Sequence, residues 1–357
     1  MFPKRIATSV IVVALSLFGL LMLPDNSSAQ TFNFSSIDVP CSSAPPSSCP
    51  NGLARRTALG GINPAGDYVG NYTDGVGKQH GFVFSGGQFT TIDVPGSLIG
   101  VPGNLPTVAR GINPAGDIVG SFTAPYNPPA STTAPVDSPA YCPAAGSTAC
   151  IKGFLYSHGK FSGVMFPGHP GAIPGAITPD GSMYGCLHDY DTMGSMFSAG
   201  WIRSGGTFTH ASIAADGGAL SDPNLSFPNS MHGGATPDGS VLTGFYVDMM
   251  AKPNHTHGYV IQDGNLQTYD VPNSSGTTVW DINPERAMVG TYVDVHGQHG
   301  FLQLPDGSAP ITVDAPSTAP FNSVSTVIQG INPGGDMTGQ YTDTGGHTHG
   351  LLAVPVN

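Results

Sequence analysis

Charged side chains are scarce in this chain of 357 residues. Lys, Arg, Asp and Glu together make up 10% of it, and the 11 Lys and Arg residues stand against 23 acidic residues. Nucleic-acid binding draws mainly on Lys and Arg, so a formal net charge of -12 leaves little to attract a phosphate backbone. We expect neither nucleic acid nor an anionic membrane surface as a partner.

Long apolar runs are missing from most of the chain as well. The exception is residues 11–23, which follow Lys4 and Arg5 and end shortly before the small residue Ala29. This pattern is typical of a secretory signal peptide, and the run is shorter than the roughly 20 residues that span a bilayer. We therefore predict a signal peptide over residues 1–29, a single domain over residues 30–357, and a secreted or periplasmic location. A retained membrane anchor is the alternative.

Motifs that would name a reaction are also absent. The sequence has no Gly-x-Ser-x-Gly elbow, no dinucleotide-binding Gly-x-Gly-x-x-Gly turn, no P-loop and no Cys-x-x-Cys pair. Long helical periodicity is missing too. No cofactor is expected.

Turn residues, in contrast, are abundant, with 50 Gly and 33 Pro. They punctuate a unit seen at residues 58–96, in which an Asn-Pro-Ala-Gly turn, a Tyr-Val-Gly run, a His-Gly-Phe run and a Thr-Ile-Asp-Val-Pro run follow one another. Runs rich in β-branched and aromatic residues between such turns predict four antiparallel strands. The first turn recurs at residues 113, 178, 236, 283 and 332.

This repeat predicts an all-β fold, a six-bladed β-propeller of four-stranded antiparallel blades. The last unit ends without its own Ile-Asp-Val-Pro strand, and a matching segment at residues 34–40 precedes the first unit. We therefore expect the N-terminal strand to complete the last blade and close the ring. The predicted blades are residues 57–96, 107–168, 172–215, 231–272, 277–316, and 325–357 with 31–40.

The repeated unit resembles the HAF-type extracellular repeat family, whose motif reads close to Gly-Ile-Asn-Pro-x-Gly-Asp, then His-Gly-Phe, then Phe-Thr-Thr-Ile-Asp-Val-Pro-Gly. The resemblance covers nearly all of the chain after residue 30 and is weaker in the third and fourth units, where Thr178 and Thr236 replace Asn. It implies a secreted repeat protein with a propeller fold and no particular reaction.

Five cysteines fit export. Cys41 and Cys49 bracket one Ser/Pro-rich loop and Cys142 and Cys150 bracket another, so each pair is predicted to close a local disulfide in an oxidising compartment. Cys186 is left over, and we interpret it as a buried, inert thiol because no electropositive neighbour is visible in the sequence.

Loop lengths predict where recognition takes place. The turns between first and second strands, and between third and fourth strands, are short and share one face of the disc. Long insertions fall on the other face, at residues 40–56, 96–106, 124–150, 211–230 and 316–324. Variable loops on a rigid scaffold usually carry binding, so we place the site on this loop-rich face, over the central channel.

Recurring Asp and His residues are the first chemical candidates. Asp74, Asp248, Asp294 and Asp343 end second strands, and His80, His257, His299 and His349 open third strands. A carboxylate is therefore expected to approach an imidazole across each hairpin. Because the pair recurs in four units, we interpret it as a structural hydrogen bond rather than as a ring of acid-base centres.

Two His-x-His doublets are candidates for metal binding, because alternate residues of a strand face the same side. They are His255 with His257, and His347 with His349. No third ligand is fixed by spacing, so metal binding is not favoured. The run His188-Asp189-Tyr190-Asp191 offers oxygen ligands for Ca²⁺ but lacks the calcium-loop signature, and we interpret it as a solvated hairpin tip.

The innermost strands break their own pattern at one position. Small residues, Gly60, Gly175 and Gly233, precede the turn in three units, but Arg110, Trp280 and Gln329 replace them in the others. Asp281 and His232 are adjacent in sequence to two of these positions. This set suits a polar ligand with apolar faces, such as a sugar or a peptide terminus. The alternative is that these residues fill the channel and satisfy one another.

We therefore predict a non-catalytic recognition module that binds an extracellular glycan or protein through Arg110, Trp280, Asp281, Gln329 and His232. The first alternative is a propeller hydrolase or lyase that uses His188, Asp189, His232 and Asp281. The second is a structural repeat protein of the cell envelope. A cluster of carboxylates or His around one point at the channel mouth would favour the enzyme, and an aromatic platform would favour the binder.

Overall fold

Short runs of β-branched and aromatic residues between Gly/Pro turns form strands in the computed structural model. The structure describes residues 30–40, 52–125, 149–166, 171–187, 189–190, 196–197, 200–210, 230–248, 251 and 255–356. The predicted signal peptide and Cys41, Cys49, Cys142 and His188 lie outside the described residues, so the two disulfides stay predictions. In the described ranges no helix is long and apolar enough to cross a membrane.

The described part of the chain is all-β. After β1 (Phe32–Ile37), the first unit contains β2 (Arg56–Ile62), β3 (Tyr68–Thr73), β4 (Gln79–Ser85) and β5 (Gln88–Thr91). The second contains β6 (Thr107–Ile112), β7 (Ile118–Pro125), β8 (Ala149–Ser157) and β9 (Lys160–Val164). The third contains β10 (Ala172–Ile177), β11 (Met183–Leu187), a short pair β12 (Asp189–Tyr190) and β13 (Met196–Phe197), then β14 (Gly200–Ser204) and β15 (Thr207–His210).

The remaining units follow the same plan. The fourth contains β16 (Ser230–Ala235), β17 (Val241–Asp248), β18 (His255–Gln262) and β19 (Asn265–Tyr269). The fifth contains β20 (Gly276–Ile282), β21 (Met288–Asp294), β22 (Gly297–Gln303) and β23 (Ile311–Thr312). The last contains β24 (Ser323–Ile331), β25 (Met337–Asp343) and β26 (Thr348–Pro355). Consecutive strands within each unit pair antiparallel. In the third unit β11 pairs with β14, and β12 and β13 form a separate two-stranded antiparallel sheet.

The N-terminal strand completes the last unit. β1 pairs antiparallel with β26 from Phe32 opposite Pro355 to Ile37 opposite Gly350, which agrees with the prediction for the segment around residues 34–40. The first strands also contact one another in turn, from β2 to β6, β10, β16, β20 and β24, and β24 contacts β2 again. The first strands therefore surround a common axis.

The repeated turn is held by its Asn side chain. Asn63 Oδ1 accepts hydrogen bonds from the backbone N–H groups of Ala65 and Asp67, both at 3.0 Å. Gly66 adopts φ +82°, a left-handed conformation that suits Gly. Asn113 and Asn332 repeat the bond to the residue four positions on, which explains why Asn-Pro-x-Gly-Asp recurs.

The core lies between neighbouring units. One large apolar residue of each third strand is fully buried: Phe82, Phe154, Trp201, Tyr259, Phe301 and Leu351. The residue before it is a Gly in every unit, and this Gly lies against a neighbouring strand. At Gly153, a Cβ atom would lie 2.6 Å from Pro174 Cδ of the third unit. The small residue therefore permits close packing of adjacent sheets.

Candidate functional site

A β-bulge occurs at the same point of each first strand. The antiparallel register with the second strand shifts there in all the described units. Bulges turn a side chain away from the regular alternation of a strand. The residues at these bulges line one cavity on the axis, and we call them the channel layer: Gly60, Arg110, Gly175, Gly233, Trp280 and Gln329.

The channel layer has room because glycine occupies half of it. Two adjoining cavities of about 70 Å³ each share Arg110, Trp280 and Gln329 in their walls. A third, of about 120 Å³, continues past Asp281 to the prolines of the Asn-Pro turns. The channel is therefore too narrow for a whole sugar chain or peptide, and it suits a single small polar group.

Arg110 carries the positive charge of the channel layer. Its Nε is buried and has no hydrogen-bond partner, and the described residues provide no carboxylate that pairs with its guanidinium. Burial lowers the pKa of this group, which still keeps its proton at any ordinary pH. A buried cation without a counter-ion is costly, so this site favours an anion.

Trp280 and Gln329 add neutral polar groups around the same space. The indole Nε1–H of Trp280 is buried without a hydrogen-bond acceptor among the described residues, and the ring packs edge-on against Phe245 at 5.4 Å between centroids. An indole N–H can only donate. The channel layer therefore presents donors that lack acceptors.

Asp281 lies nearer the Asn-Pro turns, and both of its carboxylate oxygens accept hydrogen bonds from backbone N–H groups. Its Oδ1 accepts the N–H of Ile282 at 2.9 Å, and its Oδ2 accepts the N–H of Ile331 at 3.0 Å. Burial raises the pKa of the carboxyl to about 7, although these two donors act in the opposite direction. Asp281 therefore joins the fifth unit to the sixth and carries only part of a negative charge at neutral pH.

His232 lies outside the channel, contrary to the sequence expectation. Strand alternation turns Met231 and Gly233 towards the axis, so His232 points between the sheets and is fully buried. There its Nδ1 lies 2.5 Å from the Tyr259 hydroxyl. His232 is therefore part of the packing of the fourth unit.

The structure does not describe how the other residues of the catalytic alternative lie relative to one another. His188 and the side chain of Asp189 lie outside what the structure describes, and Asp281 lies in the channel. The hydrolase or lyase interpretation stays a prediction.

Cys186 is a free, buried thiol. Burial raises its pKa to about 12, and the charge of nearby Arg110 opposes this without outweighing it. The sequence interpretation missed this cation because Arg110 belongs to another unit. The thiol is protonated and is a poor nucleophile.

Three of the recurring His residues, His80, His299 and His349, contact two carboxylates each, and His257 contacts Asp270. Their Nδ1 atoms contact an Asp at the end of the fourth strand, at 2.7 Å for His80–Asp93, 2.8 Å for His257–Asp270, 2.6 Å for His299–Asp314 and 2.9 Å for His349–Asp38. The predicted hairpin carboxylates Asp74, Asp294 and Asp343 lie farther away, 3.3 to 3.5 Å from the Nε2 atoms. The closer Asp belongs to the repeated Asp-Val-Pro run, which reads Asp-Ala-Pro at Asp314, and this run was the signal for it in the sequence.

Each of these His rings also stacks on a Tyr of the second strand. The centroid distances are 4.9 to 5.1 Å for Tyr72–His80, Tyr246–His257, Tyr292–His299 and Tyr341–His349. Every such Tyr hydroxyl hydrogen-bonds a Thr or Ser of the fourth strand. The set joins three strands of a unit, which supports the structural interpretation.

Replacing His299 by Gln should reduce stability more in acid than in alkali. Burial acts to lower the pKa of His299, but the hydrogen bond and charge of Asp314, with the charge of Asp294, raise it overall. A raised His pKa adds stability that is fully present below the unfolded value of about 6.5 and is lost as pH rises through the folded value. Since the site is partly solvated, we expect on the order of 0.5 kcal/mol between pH 5.5 and 8.5.

Urea unfolding of wild type and His299→Gln at several pH values measures this difference. His296→Gln is the control, because His296 is exposed in the same hairpin. A stability difference that stays constant with pH, or grows in alkali, would show that His299 is not held by its charge.

A wider groove of about 340 Å³ lies beside His299, between the fifth and last units. Its titratable groups, His299 and Asp314, are bonded to each other at 2.6 Å. Compared with the channel layer, this groove offers no charged group that lacks a partner.

Comparison with known proteins gives structural likeness only. No family model matches the chain, and no curated protein sequence matches it. Solved structures with a similar fold include Trypanosoma rangeli sialidase (12% identity over 90% of this chain, TM-score 0.45) and TolB from Acinetobacter baumannii (15% over 85%, TM-score 0.42). A protein of unknown function from Dyadobacter fermentans is 12% identical over 90% of this chain and 99% of its own length, with a TM-score of 0.47.

The chain spans 59% of the sialidase and 64% of TolB. All three identities are 15% or lower and the TM-scores are below 0.5, so the activities of these proteins are not carried over to this chain.

Proposed function

We propose that this protein is a secreted or periplasmic, non-catalytic recognition module, and that its channel layer binds an acidic group of an extracellular glycan or protein. The scaffold we propose is a six-bladed β-propeller of the HAF-type repeat kind, closed by β1. Its support is the β1–β26 pairing and the circle of contacts among first strands. A rigid ring of sheets fixes the channel-layer side chains before a ligand arrives, which reduces the entropic cost of binding.

The observation that carries the proposal is the buried Nε of Arg110, together with a guanidinium that pairs with no carboxylate among the described residues. A carboxylate in the adjoining cavity would accept two hydrogen bonds from this fork, and Trp280 Nε1–H would supply another donor. Gly60, Gly175 and Gly233, the small members of the channel layer, leave the space that the group requires.

Two sources of such a carboxylate are compatible with an extracellular binder: a uronic acid at the end of a glycan and the C-terminus of a peptide. Both place a carboxylate at a chain end, and only a chain end enters so narrow a channel. The loop-rich face would then contact the rest of the ligand, as expected from its long insertions.

Calorimetric titration of tag-free protein starting at residue 30 tests this function. The probes are galacturonate against galactose, and an acetylated tripeptide with a free C-terminus against its C-terminal amide. We expect binding of one acidic probe and at least about tenfold weaker binding of its neutral partner, since a hydrogen bond to a charged group is worth roughly 1.5–3 kcal/mol. The arm that binds identifies the source.

The Arg110→Gln substitution should weaken binding of the acidic probe by a similar factor. Arg203→Gln is the matched control, because Arg203 lies on β14 beside Phe208 and not in the channel. Equal affinity of Arg110→Gln and Arg203→Gln, or equal affinity for acidic and neutral probes, would remove the channel layer as the binding site.

A further inference from the structure

The fourth unit brings three metal-ligating side chains to one place. His255 and His257 are alternate residues of β18, and Asp270 follows β19. One ligating atom from each lies within 4.8 Å of the others. Residue spacing alone identifies no third ligand for this doublet. It does not show that the chain after β18 brings Asp270 back beside the start of that strand.

These side chains lie close together before any ion binds. His257 Nδ1 lies 2.8 Å from Asp270 Oδ2, and the His257 ring stacks on Tyr246. The ring of His255 stacks on the ring of His257, with 4.3 Å between centroids and 9° between planes. Because an imidazole binds a metal in its own plane, the His255 ring turns out of this stack when the ion binds, while strand alternation keeps both side chains on one side of β18.

His255 has a ring nitrogen that the protein leaves unused. Its Nε2 is buried and forms no hydrogen bond with any described residue. Buried polar atoms almost always have a partner, and one that lacks a partner in the protein alone points to a further ligand. A neutral imidazole nitrogen is a common ligand of Zn²⁺ and Cu²⁺.

The equivalent sites in other units have different neighbours. His299 and His349 each contact two carboxylates, whereas the fourth unit brings two imidazoles and one carboxylate together. The second doublet, His347 with His349, has the same spacing, but the side chain of His347 is 68% exposed and turns to Asp343 at 3.4 Å. The motif alone therefore does not create the site, and the geometry of the fourth unit does.

We propose that His255, His257 and Asp270 bind a divalent transition-metal ion of the Zn²⁺ class, with water in the remaining position. Two imidazole nitrogens and one carboxylate oxygen form a usual three-residue zinc set. With metal–ligand distances of about 2.0–2.2 Å and tetrahedral angles, the 2.8 Å separation of His257 Nδ1 and Asp270 Oδ2 opens by only about 0.6 Å. The ion links the start of β18 to the end of the unit.

Zn²⁺ titration of tag-free, chelator-treated protein against a chromophoric chelator tests this site. We expect one equivalent bound, visible absorption bands of a four-coordinate site when Co²⁺ replaces Zn²⁺, and a higher melting temperature with metal, because a ligand of the folded state stabilises it. His255→Ala and Asp270→Asn should each weaken binding at least about tenfold.

His347→Ala is the matched control, since it removes one His from the other doublet and should leave affinity unchanged. Circular dichroism of each variant shows whether it is folded. Absence of stoichiometric Zn²⁺ binding by folded wild type, or equal affinity of His255→Ala and His347→Ala, would overturn the proposal. Weakening by His347→Ala and not by His255→Ala would also overturn it, by placing the metal in the last unit.

Discussion

Removing residues 30–38 from the chain that begins at residue 30 is expected to abolish the cooperative folded state at 25 °C. The deletion leaves β26 with an open edge and removes Phe34, which packs on Phe321, and Asp38, which contacts His349 at 2.9 Å. Burial of Phe32, Phe34 and Ile37 together contributes roughly 5 kcal/mol, which is comparable with the whole stability of many domains. Thermal unfolding followed by circular dichroism measures the loss.

The control is the chain that begins at residue 30. A synthetic peptide of residues 30–40 should restore the transition of the truncated protein by supplying the missing strand, and a scrambled peptide should not. Melting of the truncated protein at the same temperature as this control would mean that β1 is dispensable and that the last unit is stable without it.

Substituting Gly153 by Ala is expected to cost about 3 kcal/mol, at the upper end for overpacking. The new methyl group would meet the Ala172 carbonyl oxygen inside van der Waals contact and lie 2.6 Å from Pro174 Cδ. Both atoms belong to the first strand of the next unit, which cannot move without disturbing the adjacent bulge at Gly175. Urea unfolding gives the change in free energy.

Gly276→Ala is the matched control within a strand. A Cβ atom there lies 3.7 Å from its nearest neighbours, an ordinary contact, so we expect a change below about 0.5 kcal/mol. Similar effects of Gly153→Ala and Gly276→Ala would indicate that the sheets are packed less closely than the structure describes.

The strands and their pairing could be predicted because turn-forming residues recur at equivalent positions of the repeated units. Asn63 with Gly66, and their equivalents, mark each first turn. The segment at residues 34–40 reveals its partner by matching the fourth strand of other units. Periodicity cannot decide how sheets sit around an axis, and the closed six-bladed arrangement remains our proposal.

The candidate site was only partly accessible from sequence. The exchange of Gly for Arg110, Trp280 and Gln329 at one repeat position was visible, and these side chains do line one cavity. The β-bulges that turn them to the axis carry no residue signature, because the bulged residue is Gly in some units and Arg in another. His232 was assigned to the channel by proximity in sequence, whereas strand alternation turns it towards Tyr259.

Anomalous diffraction from bromide-soaked crystals of the protein starting at residue 30 tests the channel layer most directly, because bromide is a small anion whose position can be observed. We predict a bromide peak in contact with the Arg110 guanidinium and Trp280 Nε1, and no such peak in Arg110→Gln crystals. Bromide confined to the outer surface, with the wild-type channel layer free of it, would contradict an anion-binding channel.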